Sequence, residues 1–425
     1  MRKEGLKRQA MITACCGALV RAMGFGLRLW ISRLLGAEAL GVTELASGAH
    51  MLALTPAAAG LPSAVSRLTA KAENDEQRRL TLYAGRQMAA WLGLCVTPLF
   101  LLLSPLLSRL LGDERTLPAL VFFAPCVLTV GLSSVYDGYC FGQGKALLPA
   151  LSEGAEQLVR LAVVGALAFL VPRVTVAYRA ALPAVASTMG EAAGLAVILA
   201  LAGRVPSCRK DARLGGIRKK LFSLSLPLLL NRLCHTALRS LCGVIIPLRL
   251  TAGGLDKAEA MSRLGMFSGM VMPLMFLPCL ISGALAAVGG PAMARCKTKQ
   301  AENRLGFRLL SAALATGLLS AAGLYVFSPY LSSLFYRLPE LTPLLRAAVP
   351  LAVLLPLQQT ANGLMTGLGL QKRSLGAGLL GAAATLLCTW QWTPVRGIYG
   401  AAFASMAGHG LTLFCELAGL FFRRV

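Results

Sequence analysis

Leu117-Pro-Ala-Leu-Val-Phe-Phe-Ala-Pro-Cys-Val-Leu-Thr-Val-Gly-Leu-Ser-Ser-Val-Tyr136 is a run of twenty residues without a charge. As a helix it is about 30 Å long, the thickness of a bilayer's hydrocarbon core. Similar runs recur in both directions from it. They predict helices near 11–34, 40–64, 82–108, 117–140, 147–171 and 180–203, then near 221–247, 264–289, 306–327, 341–366, 374–391 and 398–421. The whole chain is 56% hydrophobic and 14% charged, with a mean hydropathy of +0.67. A soluble domain carries about 25% charge. The runs lack the two-residue alternation of a membrane barrel, and helices are the remaining way to satisfy every backbone amide in lipid. The expectation is an all-α polytopic membrane protein with about twelve transmembrane helices. The first 24 residues are basic and then apolar, but Arg21 interrupts the apolar stretch and no A-x-A site follows. They read as the start of the first span rather than as a leader.

The net charge is +24, from 42 Lys and Arg against 18 Asp and Glu. In a soluble chain that balance would point to nucleic acid. Here position matters more. With the N-terminus inside, 24 Lys and Arg fall in cytoplasmic segments and ten in outer ones, among them Arg109, Arg173, Arg249 and Arg396. The positive-inside rule then places both termini in the cytoplasm of a cell-membrane protein. The basic excess serves topology and contact with anionic phospholipids, not nucleic acid.

The densest basic run, 204–220, lies midway between two sets of six helices. It reads as a cytoplasmic linker between an N-terminal lobe, 1–203, and a C-terminal lobe, 221–425. The halves echo each other. Arg21/Arg28 and Arg232/Arg239 repeat at an offset of 211, and Gly60-Leu61-Pro62 through Arg67 is echoed by Gly289-Gly290-Pro291 through Arg295. Gly138, Gly142 and Gly144 are repeated by Gly363, Gly367 and Gly369 at an offset of 225. Six-helix repeats place a binding site at the interface between lobes, near the bilayer midplane.

Eight basic residues remain inside the spans. Arg86, Arg308 and Arg346 are near enough to an end to snorkel, and Arg160 follows Glu156 by four residues, the spacing of an intrahelical pair. Arg21, Arg28, Arg232 and Arg239 have no acidic residue in their own helices. A spacing of seven puts each pair on one face, about 10 Å apart along the axis. Four such charges around one cavity would hold an anion, and the planar guanidinium suits phosphate. The other reading pairs some of them with Glu44, Asp137, Glu153 or Glu191 of neighbouring helices. Glu44, Asp137, Glu153, Glu156, Glu191 and Glu416 lie in or at the edges of spans and are likewise open to two roles, binding a coupling proton or Na⁺ or pairing with an arginine, with Asp137, Glu191 and Glu44 the leading candidates. His235 lies between the two arginines of the seventh helix. Pro98, Pro105, Pro125, Pro227, Pro273, Pro278, Pro350 and Pro356 predict kinks.

Catalytic, metal and cofactor motifs are missing. Residues 138–146 fail as a phosphate loop because Tyr139 and Ala146 replace its first glycine and its final Ser/Thr. The twelve cysteines are scattered through apolar runs without metal spacing. No loop is long enough for a soluble catalytic domain, so the expectation is a transporter rather than an enzyme, with no cofactor.

Arg21-Ala-Met-Gly-Phe-Gly-Leu-Arg28, Ser32-Arg-Leu-Leu-Gly36-Ala-Glu-Ala-Leu-Gly41 and Ala59-Gly-Leu-Pro-Ser-Ala-Val-Ser-Arg-Leu68 resemble the stage V sporulation protein B family. So does Gly265-Met-Phe-Ser-Gly-Met-Val-Met-Pro273-Leu-Met-Phe-Leu-Pro278 in the second half. That family belongs to the superfamily of multidrug, oligosaccharidyl-lipid and polysaccharide exporters. The resemblance implies a V-shaped, two-lobed exporter fold and alternating-access flipping of a pyrophosphate-bearing, lipid-linked saccharide. It also implies a Gram-positive, spore-forming source, a role in envelope or cortex peptidoglycan, and cell-envelope synthesis enzymes as partners. First-helix arginines line the cavity of lipid II flippases, and by position Arg21 and then Arg28 match them. Members of the family usually carry two further C-terminal helices. Here the sequence stops after the twelfth, at Arg424-Val425, so a lipid-tail groove built from that pair is not expected. Two alternatives stand beside the flippase: a cation-coupled multidrug exporter of the same fold, and a non-transporting envelope assembly factor.

Overall fold

The computed structural model describes residues 2–203, 213–294, 296 and 298–421, and every regular element among them is a helix. Helix α1 (Arg2–Ala58) covers what the sequence divides into two spans. No loop separates its limbs. The only break is Gly36, whose φ of +76° an L side chain would adopt only under strain. Then come α2 (Leu61–Lys71), α3 (Asp75–Leu110), α4 (Leu117–Gly142), α5 (Leu147–Leu167) and α6 (Val176–Ala202). The Asn74 side chain caps α3 by accepting the Gln77 N–H at 2.8 Å, satisfying one of the orphan donors of the first turn.

The second series begins with α7 (Leu214–Ala252), a single helix of 39 residues. The eighth expected span, 264–289, is broken. It runs through α8 (Lys257–Leu264), a π-helical stretch (Gly265–Val271) and α9 (Met272–Met275), then bends by 52° into α10 (Cys279–Ala294). Next are α11 (Lys299–Val326) and the short α12 (Ser328–Leu331), followed by α13 (Leu341–Ala348) and α14 (Leu351–Gly367), which part at Val349-Pro350. The chain of helices ends with α15 (Gln371–Arg396) and α16 (Ile398–Phe421). Pro278 and Pro350 therefore sit at breaks, whereas Pro98, Pro105, Pro125 and Pro356 are carried inside continuous helices.

Each of the twelve expected segments is helical. Among the described residues, eight helical stretches are long and apolar enough to cross a bilayer, and the bent α8–α10 assembly makes a ninth. Helix α15 is lean in large apolar residues because it packs through small ones. A Cβ at Gly381 would strike Thr412, and one at Gly408 of α16 would strike Thr385. Close backbone approach through Gly, Ala and Thr is how helices associate where no hydrophobic effect separates protein from lipid.

The chain forms two compact units: Met1–Leu35 with Leu45–Ala237, and Gly36–Glu44 with Leu238–Val425. In the first, Leu214 and Leu221 of α7 join a buried cluster with Leu61, Val65, Leu80, Tyr136 and Ile198. In the second, the turn after the Gly36 kink packs on the π-helical stretch. A Cβ at Gly41 would collide with the Met261 carbonyl oxygen, and one at Gly265 with the Ala37 carbonyl oxygen. Two of the stretches that carry the family resemblance thus meet backbone to backbone.

The internal repeat recurs in three dimensions. In the first unit Gly138 and Gly142 of α4 lie against the carbonyls of Pro62 and Ser66. In the second, Gly363 and Gly367 of α14 lie against Ala286 and the Gly290 carbonyl. Gly144 and Gly369 end the two helices, each with φ +74°. The glycines that superficially suggest a phosphate loop are therefore a helix-packing surface followed by a left-handed turn.

Candidate functional site

The first limb of α1 buries one stripe and exposes the next. Val20 and Leu27 are buried, the latter in a cluster with Val164 and Ala186 to which Trp30, Ile31 and Leu34 add. Arg21 and Arg28 follow those two residues by one position, about 100° further round the helix, and their side chains are exposed. The seven-residue spacing thus repeats a packing stripe beside an arginine stripe. On α7, Arg232 and Arg239 are likewise exposed and two turns apart. The Arg239 guanidinium lies 5.9 Å from the centre of the Phe276 ring, at the bend of the broken span. Among the described residues, Arg21, Arg232 and Arg239 form no ion pair. Arg21, Arg28 and Arg232 belong to the first unit and Arg239 to the second.

The carboxylates behave differently. Arg160 of α5 reaches Glu156 one turn before it at 2.5 Å and Glu191 of α6 at 2.8 Å. All three side chains are less than a quarter exposed. Glu191 is therefore an arginine partner, and Arg160 is shared by two carboxylates rather than one. Gly190 makes room for this pair, since a Cβ there would press on the Arg160 chain. Asp137 is half-buried beside Gly138, and its Oδ1 is buried without a hydrogen-bond partner among the described residues. Glu44 is half-buried on the second limb of α1 and has an interaction partner. His235 is half-buried.

Further polar groups cluster in the second unit. The Glu416 carboxylate is 1% exposed and accepts the Ser374 hydroxyl at 2.8 Å. His409 Nδ1 lies 2.7 Å from Gln358 Oε1, and the Ser282 hydroxyl bonds Gln359 at 2.7 Å. Glu416 stands 225 residues after Glu191, as Asn362 does after Asp137. That is the offset of the glycine repeat.

Of the basic loop residues used to orient the chain, Arg204, Arg209, Lys210, Arg295, Lys297, Arg423 and Arg424 lie outside the described residues, as does the 204–212 part of the expected linker.

The fold is shared with transporters of the multidrug, oligosaccharidyl-lipid and polysaccharide (MOP) exporter superfamily. A lipid II flippase, MurJ, in an inward closed conformation matches with a TM-score of 0.76 at 13% identity, over 96% of this chain and 87% of that one. An inward-facing multidrug resistance transporter of the MATE family matches with a TM-score of 0.74 at 16% identity, over 94% and 92%. Among characterised sequences, stage V sporulation protein B of Bacillus subtilis (strain 168) is 27% identical over 98% of this chain and 84% of its own length. The family model described as polysaccharide biosynthesis protein matches residues 6–297, more than half of the sequence. By that match the chain belongs to the polysaccharide biosynthesis protein family.

Proposed function

We propose that this protein is a flippase that moves an anionic lipid-linked saccharide, such as a peptidoglycan or polysaccharide precursor, across the cell membrane by alternating access. The observation that carries the reading is the pair of arginine stripes. Arg21/Arg28 and Arg232/Arg239 are exposed on helices that open the two repeats, while the other centrally placed arginine, Arg160, is neutralised by Glu156 and Glu191. An arginine in mid-span is costly, so Arg21, Arg232 and Arg239, which form no ion pair among the described residues, need water or an anion. A pyrophosphate satisfies a guanidinium with paired, charge-assisted hydrogen bonds. The name of the Bacillus relative and that of the lipid II flippase are in keeping with such a substrate. In this reading both termini are cytoplasmic, 204–220 links the halves, and relative motion of 1–203 and 221–425 exposes the arginines to either side in turn. Anionic phospholipids contact the basic loops, and envelope-synthesis enzymes supply or consume the substrate.

A drug exporter would bind cations through carboxylates in its membrane domain. Glu191 is held by Arg160, which leaves that role less well supported here. The discriminating experiment reconstitutes the protein in proteoliposomes with a fluorescent lipid-linked pyrophosphoryl saccharide or with a cationic dye. Flipping of the first without transport of the second is the expected result. Dye transport without flipping would establish the exporter instead, and neither activity would favour an assembly factor.

A further inference from the structure

A second carboxylate of the membrane domain has no arginine. Glu416 of α16 is 1% exposed. Its Oε1 accepts both the Ser374 hydroxyl of α15, at 2.8 Å, and the Asn362 amide of α14, at 3.4 Å. Asn362 also donates to the Ser374 oxygen at 2.8 Å, so the three side chains close a small network. Both donors meet the same oxygen. Oε2 is buried and has no hydrogen-bond partner among the described residues. Its neighbourhood is apolar, with Met365, Leu413 and Leu420 buried in the cluster to which Leu417 adds.

Among the described residues, no cation of the packed helices forms an ion pair with this group. Helix α14 carries no ionisable residue, and α15 has no Lys or Arg from Ser374 to Val395. Lys372 and Arg373 at the start of α15 are exposed and form no ion pair with Glu416, and Arg396 at its end lies over Trp392 and Phe403. On α13, Arg346 bonds the Ser328 hydroxyl at 2.9 Å. On α16 itself, His409 is two turns away and bonded to Gln358, and Cys415 is the adjacent thiol. The first unit makes the contrast plain. Glu191 stands at the corresponding repeat position, with Asp137 where Asn362 stands, and there α5 supplies Arg160 at 2.8 Å. In the second unit, α15 supplies a serine.

A buried carboxylate with no fixed positive charge is neutralised by a mobile one, because an isolated ion in a low-dielectric interior is far costlier than a neutral acid. A hard metal cation wants several converging oxygens. Here the hydroxyl and the amide turn their hydrogens to the carboxylate, and one bare oxygen is left. We infer that Glu416 is a proton-binding site: the O–H bond forms on Oε2 with a proton taken from water and breaks by returning it to water when the site is hydrated. The coupling of that proton to transport rests on the flippase reading above; the binding itself does not.

The test uses the full chain in lipid nanodiscs. Infrared difference spectra between neutral and alkaline pH are expected to show loss of a protonated-carboxyl carbonyl band, unaffected by sodium. That band should be missing in Glu416→Gln, which keeps an acceptor for Ser374 and Asn362, and retained in Glu259→Gln, whose carboxylate is exposed. In proteoliposomes, an imposed proton gradient should accelerate flipping several-fold in the unmodified protein, an acceleration that Glu416→Gln loses. A band that persists unchanged in Glu416→Gln overturns the assignment, as does one displaced by sodium rather than by pH. If Glu416→Gln does not fold, the pH and sodium responses of the unmodified protein decide alone. Loss of the band in a protein that flips nothing would keep the proton site and discard the flippase.

Discussion

Gly144 and Gly369 end corresponding helices of the two repeats with the same φ of +74°, and neither has another atom within 4 Å of where a Cβ would sit. Backbone conformation alone, not crowding, holds these positions to glycine. Alanine at either should therefore cost about 1–2 kcal/mol. Asparagine should cost less, since it tolerates the left-handed region better. Thermal unfolding in detergent measures this, with Gly144→Ala and Gly369→Ala expected to lower the midpoint by similar amounts. A large effect at one and none at the other would contradict the equivalence of the two turns.

Gly41 and Gly265 are the opposite case, because here a methyl group meets backbone carbonyls that have no room to move. Gly41→Ala or Gly265→Ala should destabilise by at least the 1–3 kcal/mol typical of overpacking. The folded fraction by size-exclusion chromatography should fall accordingly. Gly26→Ala, in the same helix as Gly41 but with open space around it, should be neutral or slightly stabilising.

Arg160 balances two carboxylates, so its removal leaves both without a cation. Arg160→Gln is expected to destabilise by about 3 kcal/mol, the lower end for breaking a buried pair, since the three side chains keep some exposure. Adding Glu191→Gln to Arg160→Gln should recover much of that loss. A double-mutant cycle on unfolding free energies reads the coupling, and additive losses would rule the interaction out.

The membrane class, the helices and the repeat were legible in the chain because apolar length and glycine spacing are local properties. Continuity was less so. The sequence separates 11–34 from 40–64, yet α1 passes through Gly36 without a loop, since a single left-handed glycine redirects the backbone. The bend in 264–289 falls at Pro278, as the sequence predicts, but the close approach of Gly265 to Ala37, some 230 residues earlier, is a contact no periodicity reports. Glu156 is visible as a partner of Arg160 because it lies one turn away, whereas Glu191 is on another helix. For the candidate site, the arginine stripes could be read from spacing, while the exposure of their side chains is a property of the fold. Glu416 is legible as a carboxylate within a span, whereas its Ser374 and Asn362 partners lie on other helices and are not.

The substrate role of the arginines is the central claim, and flipping of a fluorescent lipid-linked pyrophosphoryl saccharide tests it most directly. The protein carrying Arg21→Gln, Arg28→Gln, Arg232→Gln and Arg239→Gln together, monodisperse and with unchanged helical content, would be compared with the unmodified chain in proteoliposomes. Each bidentate contact to a phosphate counts among the stronger hydrogen bonds, at about 1.5–3 kcal/mol, so the rate should fall at least tenfold. Flipping at the unmodified rate would contradict the account.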